Sequence, residues 1–197
     1  MLYADREKFD PNLARSVELL MNQTIRFETL LSDLLEVSRF DAEVAVMEAK
    51  EFDLVELVKE SIDYVNPSQS RIVSLILDQE QIYMVADPRR IQRILRNLIA
   101  NAIDHRSEKS VEVTIRKTDN EVAVGVRDYG DGFSEEDSKR LFDRFWRADT
   151  ARTRTSGSTG LGLSIAMEDT KLHSGKLEAW GRPGQDRKST RLNSSHI

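Results

Sequence analysis

Three short stretches of this chain carry residue types whose spacing could do chemistry. They are Asn97-Leu98-Ile99-Ala100-Asn101-Ala102, Asp128-Tyr129-Gly130-Asp131-Gly132-Phe133 and Gly157-Ser158-Thr159-Gly160-Leu161-Gly162-Leu163. Asn97 and Asn101 lie one helical turn apart and share a face. Gly130 and Gly132 let a backbone approach a ligand closely and adopt turns closed to other residues. Thr159-Gly160-Leu161-Gly162 opens a helix, whose first amide groups favour phosphate. Each stretch alone has an ordinary explanation: an acid beside glycines is usually a turn, and an asparagine on a helix is usually solvated surface. In this order and spacing, the three specify a nucleotide site.

The elements that must position them can be read from periodicity. From Pro11 to about Ser38, Leu13, Val17, Leu20, Thr24, Phe27, Leu31, Leu34 and Ser38 recur at steps of four and three, a coiled-coil-like seam that Leu30 and Val37 widen into a bundle face. Asp10 and Pro11 suit its start. Such a stripe needs partner helices. Packing on the next domain would serve, but a helical bundle formed by dimerisation is the favoured reading. Val46–Phe52 reads as a strand, Leu54–Val65 as an amphipathic helix, and Arg71–Leu77 and Ile82–Val85 as strands. Asp87-Pro88 caps a second long helix running to about Asp104, which carries both asparagines. Val111–Arg116 and Val122–Arg127 alternate as paired strands that turn at Asp119-Asn120. Ser134–Arg140 is a short helix, Arg147–Thr159 a polar loop, Gly160–His173 a helix and Lys176–Trp180 a strand. The pattern predicts an α+β fold, a two-layer α/β sandwich with helices on one face of a mixed sheet.

Composition excludes several classes. The net charge of −5 argues against a general nucleic-acid binder. Cysteine is absent, so disulfides and thiol chemistry are excluded. No apolar run approaches the ~20 residues needed to cross a bilayer, and the N-terminus lacks an apolar signal core. As written, the chain reads as cytoplasmic, without direct membrane contact.

The three stretches resemble the N, G1 and G2 boxes of the histidine-kinase ATP-binding domain, within the wider family that includes gyrase, Hsp90 and MutL. The resemblance implies the GHKL (Bergerat) sandwich, preceded by the long helix of a dimeric four-helix-bundle hairpin. It also implies ATP and Mg2+ as cofactors. Asn101 would supply an oxygen to magnesium, a hard cation held by few protein groups plus phosphates and water, with Asn97 near the phosphates. Asp128 would accept a hydrogen bond from the adenine amino group, and Gly130 and Gly132 would bring the backbone to the base. Leu141–Arg147 resembles the F box, an aromatic anchor that includes Phe145. Arg147 and Arg152 match lid arginines, whose guanidinium groups suit phosphate. Thr159, Gly160, Leu161 and Gly162 would close on the phosphates. Two positions depart from the commonest pattern. Asp104 stands where the family has lysine and cannot touch phosphate, so it faces water or positions a cation; Ser158 replaces a glycine. His105 packs at the pocket edge.

The resemblance also bears on the reaction. Family members that hydrolyse ATP, and anti-sigma serine kinases, carry a glutamate base at the position of Asn97. An asparagine cannot take a proton. A histidine acceptor needs no base, because neutral imidazole is already nucleophilic near pH 7. The implied activity is a protein-histidine kinase, relaying phosphate to the aspartate of a response-regulator receiver domain; a dimerising, non-catalytic ATP-binding module is the alternative. Arg26–Arg39 resembles the end of the dimerisation hairpin, while Ile94–His105 and Leu177–Gly181 narrow the resemblance to one subfamily of sensor kinases. The acceptor histidine is missing: His105, His173 and His196 lie outside any acceptor-box context, so no residue of this chain is assigned as catalytic. The expected layout is residues 1–41 for the end of the hairpin, 42–48 for a linker and 49–185 for the ATP-binding domain with its last strand cut short. Residues 186–197 form a tail outside the fold. Asp186–His196 is identical to the in-frame translation of a common sequencing-library adapter, against the alternative of a polar disordered tail. Met1 reads as an internal methionine of a longer, membrane-anchored protein.

Overall fold

The computed structural model describes residues 10–42, 45–69, 72–104, 110–119, 121–130, 132–147, 159–182 and 187–194. The chain divides into two compact units, Met1–Glu43 and Val44–Ile197. The first contains helix α1 (Pro11–Asp41), with Pro11 in its first turn as expected. Asp10 takes the N-cap position, but its side chain makes no capping bond; its carbonyl accepts from the Ala14 amide at 2.9 Å. The seam residues Leu13, Leu20, Phe27, Leu31 and Leu34 are exposed on this helix. An apolar stripe of that length is the mark of an interaction face.

The second unit is the predicted two-layer sandwich. Its elements are β1 (Lys50–Asp53), α2 (Leu54–Val65), β2 (Val73–Leu77), β3 (Tyr83–Ala86), α3 (Pro88–Asp104), β4 (Val111–Lys117), β5 (Val122–Asp128), α4 (Glu135–Arg140), α5 (Gly162–Leu172), β6 (Lys176–Arg182) and β7 (Arg187–Ser194). A mixed sheet has the order β2-β4-β5-β7-β6, and β1 pairs with β3 in a separate small sheet. Helix α3 packs against α2 and α5, and also against β5. Its buried residues Ile91, Ile94, Leu95, Leu98, Ile99 and Ala102 face Val111, Val113 and Ile115 of β4 and Val122, Val124 and Val126 of β5 in one core. Each fully buried aliphatic side chain contributes about 1.5–3 kcal/mol, so α3, and with it the two asparagines, is the best-anchored helix of the unit.

Three expectations are corrected. The strand expected from Val46 begins at Lys50, because Val46 and Glu48 spend their main-chain groups on side chains of the next layer: the Val46 carbonyl accepts from Arg90, and the Glu48 amide donates to Asp87. The helix expected from Gly160 begins at Gly162, since Gly160 has φ +75° and lies in the left-handed region. The segment expected outside the fold runs as β7, hydrogen-bonded between β5 and β6, so the unpaired edge expected there is filled. Strand pairing is made by main-chain groups, which a polar sequence supplies as well as an apolar one. Leu192 stands in register with Val124 and Leu177.

Asp53 shows how a single residue joins two elements. One carboxylate oxygen accepts from Val55, as N-cap of α2, at 2.9 Å and from the Ile82 amide at 3.1 Å. Replacing Asp53 with Ala removes a cap worth about 1 kcal/mol and leaves the Ile82 amide without that acceptor. The expected loss is about 1–3 kcal/mol, read as a lower urea midpoint at unchanged slope.

Candidate nucleotide site

The site is assembled where α5 meets α3. Gly162, the first residue of α5, lies so close to Asn97 that a Cβ placed there would stand 2.9 Å from Asn97 Oδ1. A side chain at this position would oblige the end of the Asn97 side chain to shift. Asn97 and Asn101 are both half-buried on α3. Ahead of α5, Gly160 packs on the backbone of Phe145, and a Cβ there would lie 3.1 Å from the Phe145 Cα. The Phe145 amide donates to the Gly160 carbonyl at 3.0 Å, and the Thr159 hydroxyl accepts from Leu161 at 3.3 Å. These contacts bring the two ends of the 146–159 segment together.

Phe145 itself has φ +63°, a conformation that bulky side chains rarely adopt. Phe145 is 60% exposed, while Phe142 of the same stretch is partly buried against the core. Helix α4 starts with a complete capping box, in which Ser134 Oγ accepts from the Asp137 amide and Asp137 accepts from the Ser134 amide.

The acid of the glycine turn sits at the end of β5. Asp128 is buried, and its Oδ1 accepts from Gly130 N–H at 2.8 Å, which sets the orientation of the carboxylate. Gly132 follows with φ +73°. Asp104, at the end of α3, is exposed. Partial desolvation raises its pKa, and the positive charge of Arg147 opposes the shift. Arg147 thus lies within electrostatic reach of α3. His105 and Arg152 fall outside the described residues.

Sequence reading missed a polar network behind this site. Asp169 of α5 is fully buried and holds two arginines of α3: Arg90 donates to Oδ1 at 2.8 Å, and Arg93 donates from Nε to Oδ2 at 2.7 Å and from Nη2 to Oδ1 at 2.8 Å. Arg90 also donates to the Val46 carbonyl at 2.8 Å. His173 is buried, with Nδ1 2.7 Å from the Asp169 carbonyl and Nε2 accepting from the Asp87 amide at 3.2 Å. That pairing requires the neutral tautomer protonated on Nδ1. Asp87 caps α3 through the Arg89 amide and accepts from Glu48 N–H and the Arg89 guanidinium. The available signal was positional, since Arg90 and Arg93 lie three and four residues apart from each other and from Asn97, on the face that meets α5.

This arrangement defines a class: a two-layer sandwich whose glycine turn, at a strand end, and glycine-opened helix flank a helix carrying paired asparagines. The chain belongs to the family described as histidine kinase-, DNA gyrase B- and HSP90-like ATPase, which it matches over residues 86–193. It is similar to the sensor histidine kinase MtrB of Mycobacterium leprae, 46% identical over 188 residues that make up 94% of this chain and 34% of that protein. MtrB of Mycobacterium tuberculosis is 47% identical, over 94% of this chain and 33% of its own length. The chain therefore spans about a third of the curated relatives it matches. Among solved structures, the catalytic domain of histidine kinase ThkA superposes with a TM-score of 0.65 at 27% identity, covering 76% of this chain and 97% of that one. The MtrB type is the subfamily to which Ile94–His105 and Leu177–Gly181 pointed.

Two outcomes follow from this geometry. Gly160→Ala would place a Cβ in a left-handed conformation, costing roughly 1–2 kcal/mol, and against the Phe145 backbone. The variant should unfold at correspondingly lower urea and exchange its Phe145 amide faster. Burial works to raise the Asp87 carboxyl, but hydrogen bonds from Glu48 and Arg89 together with the Arg89 charge outweigh it and hold the pKa at about 2, below the ordinary 3.8. A depressed folded-state value favours the fold fully above the unfolded pKa, and the contribution is lost as pH falls from about 4 towards about 2. Urea midpoints measured across that window should fall more for the wild type than for Asp87→Asn.

Proposed function

We propose that this chain is the ATP-binding catalytic portion of a sensor histidine kinase, which transfers the γ-phosphate of ATP to a histidine supplied by an acceptor hairpin, for relay to a response-regulator aspartate. The observation that carries the reading is Asn97, packed on Gly162 at the helix seam. The residue beside the phosphate-binding turn is an amide, without basicity to activate water or a serine hydroxyl. Histidine as acceptor removes the need for that base. The naming of the MtrB relatives as sensor histidine kinases supports the same reaction.

In this reading Asp128 selects adenine, while Gly130 and Gly132 let the backbone approach the base. Thr159, Gly160, Leu161 and Gly162 meet the phosphates, joined by Arg147 and Arg152 from the lid. Asn101 holds Mg2+. The donor chemistry fits: half-buried Asn101 offers one hard amide oxygen, and magnesium is commonly held by few protein groups plus phosphates and water. When bound, the ion neutralises phosphate charge. Residues 1–41 supply the dimerising helix and 42–48 the linker, and the nucleotide-binding domain runs from residue 49 through β7, in a parent anchored at the cell membrane. No helix among the described residues is long and apolar enough to cross a membrane.

His173 is committed to Asp87 and Asp169 and is no acceptor. Incubation of this chain with γ-labelled Mg-ATP should therefore leave no acid-labile, base-stable label on it. Label should appear on an acceptor-hairpin domain added in trans. Self-labelling would overturn the assignment of the acceptor, and nucleotide binding with no transfer to any hairpin would favour a non-catalytic module.

A further inference from the structure

Helices α3 and α5 run antiparallel, because Gly162 at the start of α5 meets Asn97 late in α3, whereas Asp169 near the end of α5 meets Arg90 and Arg93 early in α3. The two contacts are spaced alike. Gly162 to Asp169 is seven residues, as is Arg90 to Asn97, and seven residues of helix rise about 10 Å. One contact is a close approach that a glycine permits but does not enforce. The other is directional: a buried carboxylate held by three guanidinium bonds of 2.7–2.8 Å. Arg90 is itself held by the Val46 carbonyl, so it is not free to follow if α5 slides.

We propose that Asp169 is a positioning residue for the nucleotide site. Gripped by Arg90 and Arg93, it sets the axial register of α5 on α3 and thereby the placement of the Gly160–Gly162 turn against Asn97 and Asn101. The inference rests on the nucleotide reading above and deepens it. Apolar residues on the same seam resist separation of the helices but resist sliding weakly, since hydrophobic burial is non-directional. The charged clamp supplies the missing direction, and misplacement of a site by about 1 Å is enough to cost much of its activity.

The test uses the full chain and a fluorescent ATP analogue displaced by Mg-ATP, with unfolding followed in parallel. Asp169→Asn removes the charge. Asp169→Glu keeps it but lengthens the tether by one methylene. Val113→Ala, in the sheet core away from the seam, controls for general loss of stability. We expect Asp169→Asn to weaken Mg-ATP binding at least tenfold and Asp169→Glu about fivefold while recovering much of the lost stability. Val113→Ala should stay within twofold of wild type. Both Asp169 variants binding within twofold of a wild type that binds would overturn the inference alone. So would Val113→Ala losing as much affinity as Asp169→Asn. A wild type that binds no Mg-ATP would overturn the nucleotide reading, and this inference with it.

Discussion

The contact between α3 and α5 is the constraint on which the rest of the second unit depends. At one end Gly162 leaves room for the Asn97 amide, whose oxygen would lie 2.9 Å from a Cβ placed there. At the other a buried carboxylate is matched to two guanidinium groups. Burying Asp169 without partners would cost several kcal/mol, so the clamp forms completely or the helices do not pack this way. From that seam the structure extends outward. The turn before α5 fixes Gly160 on the backbone of Phe145. Residues 46–48 are drawn onto the start of α3 by Arg90 and Asp87.

Stability and chemistry are divided between two kinds of residue. The aliphatic face of α3, with Ile94, Leu95, Leu98 and Ile99, is packed on the strands and supplies burial energy without directing any ligand. The polar network supplies direction. Within it, His173 is neutral, with both ring nitrogens bonded, and Asp87 is an ionised cap whose partners oppose its burial. Asn97, Asn101 and Arg147 are half-buried, and they are the groups the proposed function assigns to the nucleotide. An amide in place of a carboxylic acid at Asn97 is a small chemical change with a large consequence, because it removes the proton acceptor that water or serine would need.

Much of the fold was legible because local signals agreed with the global arrangement. The amphipathic period of Leu54–Val65 placed α2 and the Asp87-Pro88 start placed α3, since both signals lie between residues near in sequence. The alternation of Val111–Arg116 and Val122–Arg127 placed two adjacent strands of the sheet, each of which runs one residue further. Legibility failed where a distant partner decided the outcome. Val46–Phe52 looks like a strand by composition, but Arg90 and Asp87 claim the Val46 carbonyl and the Glu48 amide, and the strand starts only at Lys50. Residues 187–194 lack a periodic core face, yet they lie as β7 because β5 and β6 both offer unsatisfied backbone edges.

The sequence by itself determined the class of site. Asparagines one turn apart, an acid with two glycines and a glycine-opened helix are local patterns whose chemistry is carried by residue type and spacing. It also determined that no glutamate base stands at Asn97. Only the tertiary structure decided how those pieces are held: that Gly162 packs on Asn97, that Phe142 lies against the core while Phe145 is exposed, and that Arg90 and Arg93 close on buried Asp169 beside buried His173. Those facts depend on which faces of separate helices meet. Charges paired across 76 and 79 positions of sequence leave no local periodicity to read.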